Sequence, residues 1–430
     1  MTPVRRHPVR SVAAVAAALT ITLSATGRAA DAPVVDASTM RGKVMCGYQG
    51  WFNTPNDGSG RGVVHWGKAP LGEGDWTVDL LPDVSELDAD ELFDTQTLDA
   101  DGKPVKIFSS YNPKTVARHF KWMQQYGIDG VFLQRFVSGL SRPAVMTHYN
   151  RIVENVRTGA KSYGRAWGMM YDLSGLKPGG ADVVIEDWKH LVSVDKITGD
   201  STYIHENGKP IVVLWGIGFG NEKRPDLFED GLKLIQFLKS DPVYGNNTVM
   251  IGVPHQWRAI VGKNDERAKA FQAVIEAADI IQPWNVGSYK TPEEVQQVAK
   301  NKWAPDIAWC EQHHVQYMPV VFPGFTWFNL RKGQAPSDQI PRAGGRFLWQ
   351  QYVEAKKLGS PWIYQAMFDE VDEGTAIMKV RPAPTPGKSV FVDLHGLPSD
   401  FYLRLVGEGG RLMRGEISVD QEPPLLEAKK

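Results

Sequence analysis

The sequence predicts an α/β chain folded as a (β/α)₈ TIM barrel, with a long insertion after the first strand. Short β-branched and apolar runs recur along it, each ending in Gly, Pro, Gln or an aromatic, and helical segments separate them. The runs number eight. Continuous apolar strands of this length are buried on both faces, as in a parallel sheet covered by helices, and eight strand–helix units close a barrel. A doubly wound open sheet is the alternative. No G-x-G-x-x-G follows the first strand, however, and no Walker-type phosphate loop occurs.

The first strand is Lys43–Gln49. The connection from Gly50 to about Lys106 is too long for a plain βα loop; an insertion there would overlie the catalytic face of a barrel and shape a substrate site. Its acidic stretch, Asp83 to Asp94, suits a solvated helix face or a loop better than a metal site. Asn112-Pro113 opens a helix whose apolar stripe is Val116, Phe120, Met123 and Tyr126 and which stops at Gly127. Strands follow at Ile128–Gln134, Ala166–Tyr171 and Ile211–Trp215. Asp226 is placed to cap a helix carrying Leu227, Leu232, Ile235 and Leu238. Next come the strand Thr248–Val253, a helix from Glu266 to Ala278, and the strands Ile280–Pro283 and Gln316–Phe322. A late helix, Arg346 to Leu358, ends at Gly359 before the eighth strand, Trp362–Phe368. The tail from Ser389 to Lys430 completes the outer layer, and residues 31–430 read as a single catalytic domain without an internal repeat.

Composition narrows the function classes. Hydrophobic residues make up 42% and charged residues 23%, with a net charge of −1. That balance gives a core but no field to attract nucleic acid or an anionic membrane surface. Residues 1–30 have the form of a signal peptide: Arg5, Arg6 and Arg10, then small and apolar residues from Ser11 to Ala25, then Gly27-Arg28-Ala29 as a cleavage pattern. The run is too short for stable membrane insertion, so a secreted or periplasmic monomer is expected. The two cysteines, Cys46 and Cys310, fall in a strand and a distant helix and read as buried free thiols. Fourteen tryptophans and thirteen tyrosines, many beside Gly, Pro, Asn or Gln, offer flat faces for sugar rings. Any single one fills core more readily than it binds ligand.

In a barrel, residues just past the strand ends converge on one pocket. Here these are Tyr48, Gln49 and Trp51; Gln134 and Arg135; Tyr171 and Asp172; Trp215; His255 and Trp257; Trp284; Trp327; and Asp369 and Asp372, with His65 and Trp66 from the insertion. Polar groups beside aromatic surfaces suit an oligo- or polysaccharide, whereas a phosphate site would show more Lys, Arg and Gly. The eighth strand runs into Asp369, Glu370, Asp372 and Glu373, four acids within five residues. Such a cluster repels itself, so its pKa values separate, which is the condition for acid/base work on a glycosidic bond. Glu370 and Glu373 would share a face on a helical turn, and Gly374 favours a turn. Calcium is the competing use of the acids, but no EF-hand spacing occurs, nor H-E-x-x-H, nor G-x-S-x-G. No cofactor and no metal are expected.

Glu370-Val371-Asp372-Glu373-Gly374-Thr375 resembles the E-W-x-E-G-T segment of glycoside hydrolase family 99, the endo-α-mannosidases and endo-mannanases. Gly47-Tyr48-Gln49-Gly50-Trp51-Phe52 and Tyr126-Gly127-Ile128-Asp129-Gly130-Val131 are similar to barrel strands of that family and of its family 71 relatives. The resemblance runs from about Lys43 to Glu416 and is nearest to bacterial family 71/99-like proteins. It implies a retaining, metal-free hydrolase of an α-mannan-like glycan that works through the substrate's own 2-hydroxyl. Glu370 would draw the proton from that hydroxyl. Glu373 would protonate the leaving oxygen and then activate water, one of the exceptions to the two-carboxylate nucleophile scheme. Val371 stands where the family has Trp, and Asp372 where it has His or Asn, so specificity diverges there. A family 71-like α-glucanase and an inactive carbohydrate-binding barrel are the alternatives.

Overall fold

The computed structural model describes residues 1–2, 33–221, 224–381 and 389–427; the expected signal peptide lies almost entirely outside them. The predicted barrel is present. Its strands are Val44–Tyr48, Gly130–Phe136, Ala166–Asp172, Lys209–Trp215, Thr248–Pro254 and Ile280–Trp284, then a seventh in two pieces, then Ile363–Gln365. Each pairs in parallel with the next. The seventh strand closes the ring: Gln316–Tyr317 pairs with the sixth strand and Val320–Val321 with the eighth, which pairs with the first.

The helices alternate with these strands as their signals predict. Pro113–Tyr126 starts on Asn112, whose side chain accepts the Lys114 N–H, and ends on Gly127 at φ 71°. Arg346–Lys357 and the tail helix Phe401–Arg414 pack together in the outer layer. Asp226 does not cap its helix. Phe228–Ser240 follows Leu227 at φ 60°, and the Asp226 carboxylate instead takes Arg267 (2.8 Å) and the Gly220 N–H (2.9 Å).

Inside the ring, small residues face large ones, which lets eight strands close without a pore. A Cβ on Gly47 would meet the Tyr364 hydroxyl and Met367 at 2.3 Å, and one on Gly252 would meet the Trp215 ring at 2.2 Å. Cys46 and Cys310 are buried free thiols, as expected.

The insertion is anchored across the C-terminal mouth. Trp66 is buried against Phe52 and Phe108 and donates to the Phe108 carbonyl (3.1 Å). Leu92–Leu98 and Pro104–Phe108 form an antiparallel hairpin, and Leu81–Pro82 pairs with Val380–Arg381. The acidic stretch forms loop, a single 3₁₀ turn at Ala89–Glu91 and the start of a strand rather than a helix face. Glu91 is buried and accepts from Arg118 (2.6 Å) and Thr115 (3.0 Å). Among the described residues no helix is long and apolar enough to cross a membrane, and no cluster of His, Cys, Asp and Glu is arranged to hold a metal ion.

Candidate active site

The site is built on the turn that follows the eighth strand. Asp369 fixes its start: Oδ1 accepts the Gln49 N–H (2.7 Å) and Oδ2 the Gly50 N–H (2.8 Å). Both its oxygens are thus spent tying the eighth strand to the first, and the residue is fully buried. It is a structural acid, which corrects its expected role in substrate contact. The Glu370 carbonyl then accepts the N–H groups of Thr375 (3.2 Å) and Ala376 (2.9 Å), closing a tight turn. Gly374 makes this possible with φ 63°, and a Cβ there would press on Thr326 at 2.7 Å. Three outside contacts hold the turn. Arg342 donates to the Gly374 and Ala376 carbonyls (2.8 and 2.6 Å), Thr326 N–H to the Glu373 carbonyl (3.1 Å), and the Asp79 and Leu80 N–H groups to the Val371 carbonyl (2.8 and 3.1 Å).

The turn gathers the acids as the spacing predicts. Glu370 is 6% exposed and its Oε1 accepts Gln49 Nε2 (3.1 Å). Burial, then the charges of Glu373, Asp372 and Asp369, raise its pKa well above the ordinary carboxylate value. Glu373 is half-buried. Burial first, and then Asp372, raise it to about 7, with Trp327 and Arg331 pulling the other way and Asp172 adding to the rise. The Trp327 Nε1 is buried without a partner in hydrogen-bond geometry, near enough to favour the Glu373 anion but still unspent. Asp172, at the third strand's end, is raised by burial against its bond from the Ser174 N–H. Two carboxylates that sense each other share protons as a pair. With both pushed up, the pair keeps a proton near neutral pH, so one member donates while the other accepts.

Around the acids, buried polar atoms stand unpartnered: Gln49 Oε1, Trp51 Nε1, Trp215 Nε1, Trp327 Nε1 and Asp372 Oδ1. Orphaned groups of this kind are few in a folded chain. Others of the kind are spread through the barrel and its outer layer, but these five lie among the residues of the mouth. Trp215 meets Trp284 edge to face at 5.5 Å, and Trp284 meets Tyr364 at 6.0 Å, forming an aromatic wall. Gln134 faces the same interior and donates to the Tyr364 hydroxyl (3.4 Å). His65 reaches the group through Asp372 (Nδ1 to Oδ2, 3.5 Å).

Several expected ligand residues are placed elsewhere. Tyr48 points behind the sheet, fully buried, with its hydroxyl on His119 Nδ1 (2.8 Å). Arg135 and Tyr171 also face outward and meet on Asp187: Arg135 Nε and Nη2 at 2.7 and 2.6 Å, Tyr171 hydroxyl at 2.8 Å. Trp66 is core of the insertion, and Trp257 is buried against Trp309 of the outer helix Ala304–Gln312. Trp51 is sandwiched between His65 (3.8 Å) and Phe136 (5.3 Å), so both its faces are covered and only its edge is free for a ligand. His255 bonds Ser288 (3.1 Å), on the loop after the sixth strand. Sequence reasoning missed Tyr364, Arg331, which lies 4.6 Å over the Trp327 ring, and the clamps Arg342 and Asp79. Asp79 accepts the Phe328 and Asn329 N–H groups (2.8 Å each), and burial raises it to about 6.

Fold and turn together define a (β/α)₈ barrel with a carboxylate group at the C-terminal mouth. Comparison with solved structures places that architecture. A GH99 endo-α-mannosidase from Bacteroides thetaiotaomicron, in complex with bis-tris-propane, superposes with a TM-score of 0.62 at 15% identity, covering 88% of this chain and 99% of that one. A second structure described in the same terms gives 0.61 at 14%, with the same coverage. A glycoside hydrolase-like protein gives 0.53 at 11%, covering 88% and 96%. At these identities the likeness is one of fold. No family model matches the chain, and no curated protein matches it.

Proposed function

We propose that the protein is a retaining glycoside hydrolase acting on an α-linked, α-mannan-like glycan, and that it is exported to the periplasm or the medium. The observation that carries the reading is the pair Glu370 and Glu373 on one turn, both with raised proton affinity, facing a mouth of unspent hydrogen-bonding groups. Glu370, anchored by Gln49, is the base that takes the 2-hydroxyl proton as that oxygen attacks the anomeric carbon. Its high proton affinity suits it to accept from an alcohol. Glu373, the more accessible of the two, protonates the departing oxygen and then deprotonates the water that opens the intermediate. With one proton shared between them, the productive form has it on Glu373, and substrate binding must draw it there from Glu370. The residue types at the mouth and the fold shared with the GH99 endo-α-mannosidase support the glycan assignment.

The test is a panel of α-mannan, α-glucan and arabinan with NMR of the first anomer released. Retention on an α-mannan supports the reading. Release from α-glucan alone would favour the glucanase alternative. Tight binding with no product from any of them would leave a carbohydrate-binding barrel.

A further inference from the structure

Two cations at the mouth stand apart from the others. Most described arginines are paired with a carboxylate, as Arg135 is with Asp187 and Arg267 with Asp226. Arg224 and Arg331, on the loops after the fourth and seventh strands, have no carboxylate at ion-pair distance among the described residues. Each is laid over a tryptophan instead. The Arg331 guanidinium is 4.6 Å above the Trp327 ring, its backbone N–H donates to the Trp327 carbonyl (2.8 Å), and Phe325 meets the same indole at 5.1 Å. The Arg224 guanidinium is 5.9 Å from the Trp215 ring and 5.5 Å from Phe219. Its one side-chain hydrogen bond is long, from Nη2 to the Ser174 hydroxyl (3.3 Å). Arg331 is exposed; Arg224 is half-buried, and its partnerless Nε and Nη1 are not enclosed by protein.

A groove for neutral sugars leaves aromatic faces bare for the rings to stack on. Here two tryptophans each carry a guanidinium, held by the ring with its fork of N–H donors unspent. That planar fork matches an oxyanion in two parallel hydrogen bonds. The charges are also layered. Asp172, Glu370 and Asp372 are buried at the floor, where raised proton affinity keeps part of their charge neutralised, whereas the two arginines reach toward solvent. We propose that the substrate glycan is acidic, and that a carboxylate or phosphate on its sugars docks on Arg331 and Arg224 while a neutral linkage is cut at the floor. The cut rests on the glycosidase reading; the docking does not.

Arg331 carries a consequence for the reaction as well. Burial, Asp372 and Asp172 favour the protonated Glu373, while Trp327 and Arg331 favour its anion. Glu373 protonates the departing oxygen, so the departing sugar lies on its side of the bond, beside Arg331. An oxyanion on that sugar offsets Arg331 and leaves the proton on Glu373, the form the first step needs.

The test is calorimetric titration of the full chain with α-mannotetraose, with the same tetrasaccharide bearing one phosphate and with one bearing a uronate carboxylate, followed by kcat/KM on all three. At least one acidic form should bind and turn over about tenfold or more better than the neutral one, and the preferred form identifies the oxyanion. Raised salt should shrink the preference. Arg331→Gln, at an exposed position that folding tolerates, should remove most of the preference, and Arg224→Gln part of it. Equal binding and turnover of neutral and acidic forms, or a preference that survives both substitutions, would overturn the proposal and leave the glycosidase reading standing. An acidic preference in binding with no product from any form would do the reverse. No binding of any form would also overturn the proposal.

Discussion

Asp372 sets the electrostatics of its two neighbours. It raises both Glu370 and Glu373 while its own Oδ2 leans on His65. Asp372→Asn removes that charge, so the proton affinity of Glu373 falls. The alkaline limb of kcat/KM, where the general acid is lost, should then move to lower pH by about one unit. An unmoved limb would remove Asp372 from the tuning. Glu370 carries a stability consequence as well. Its folded pKa lies above its unfolded value, so the stability it confers is present at low pH and lost as pH rises through the folded pKa. Glu370→Gln should therefore abolish turnover yet raise the melting temperature at pH 8 by roughly 2 °C or more. That gain should disappear below pH ~4, where the wild-type carboxyl is neutral in both states. The acids were legible in the sequence because four of them fall within five residues at the end of the eighth strand. Asp369 was misread because its role depends on the Gln49 and Gly50 amides, 320 and 319 residues away.

At the scale of strands, one rule explains three of the misplaced ligand residues. Consecutive side chains on a strand point to opposite faces. Adjacent pairs were expected at three strand ends, and the structure splits each pair: Gln49, Gln134 and Asp172 face the mouth, while Tyr48, Arg135 and Tyr171 face the helices. Alternation could have divided each pair in advance, had the register been known. The outward set is structural. Asp187→Ala would leave Arg135 buried and unpaired and should cost about 3–5 kcal/mol of stability, with KM unchanged in the protein that remains folded. The acid turn is the other decisive element. Gly374→Ala forces a Cβ into a left-handed position against Thr326, which should cost about 1–2 kcal/mol and displace Glu373. Turnover should fall by more than the melting temperature suggests, and equal losses would mean that the turn serves stability alone.

For the whole molecule, the barrel was readable because its signals are local. Each strand is a short apolar run, and some helices carry a cap or a stop in sequence, as Asn112 and Gly127 do. The insertion was readable only as a length. That it pins the acid turn through Asp79 and Leu80, and the seventh-strand loop through the Asp79 carboxylate, depends on pairings across some 250 and 290 residues. Arg342 and Tyr364 were invisible for the same reason. Since Asp369 is held by the Gln49 and Gly50 amides and Glu370 by the Gln49 side chain rather than arranged as ligands, a chelator should leave turnover unchanged; loss restored by calcium would contradict this. The most direct test of the central claim is the turnover number of Glu373→Gln on the α-glycan that the wild type cleaves, with oligosaccharide affinity measured on the same preparation. The account predicts that turnover falls by about 10³-fold or more while affinity is kept within a few-fold. Turnover retained at near wild-type rate would contradict it.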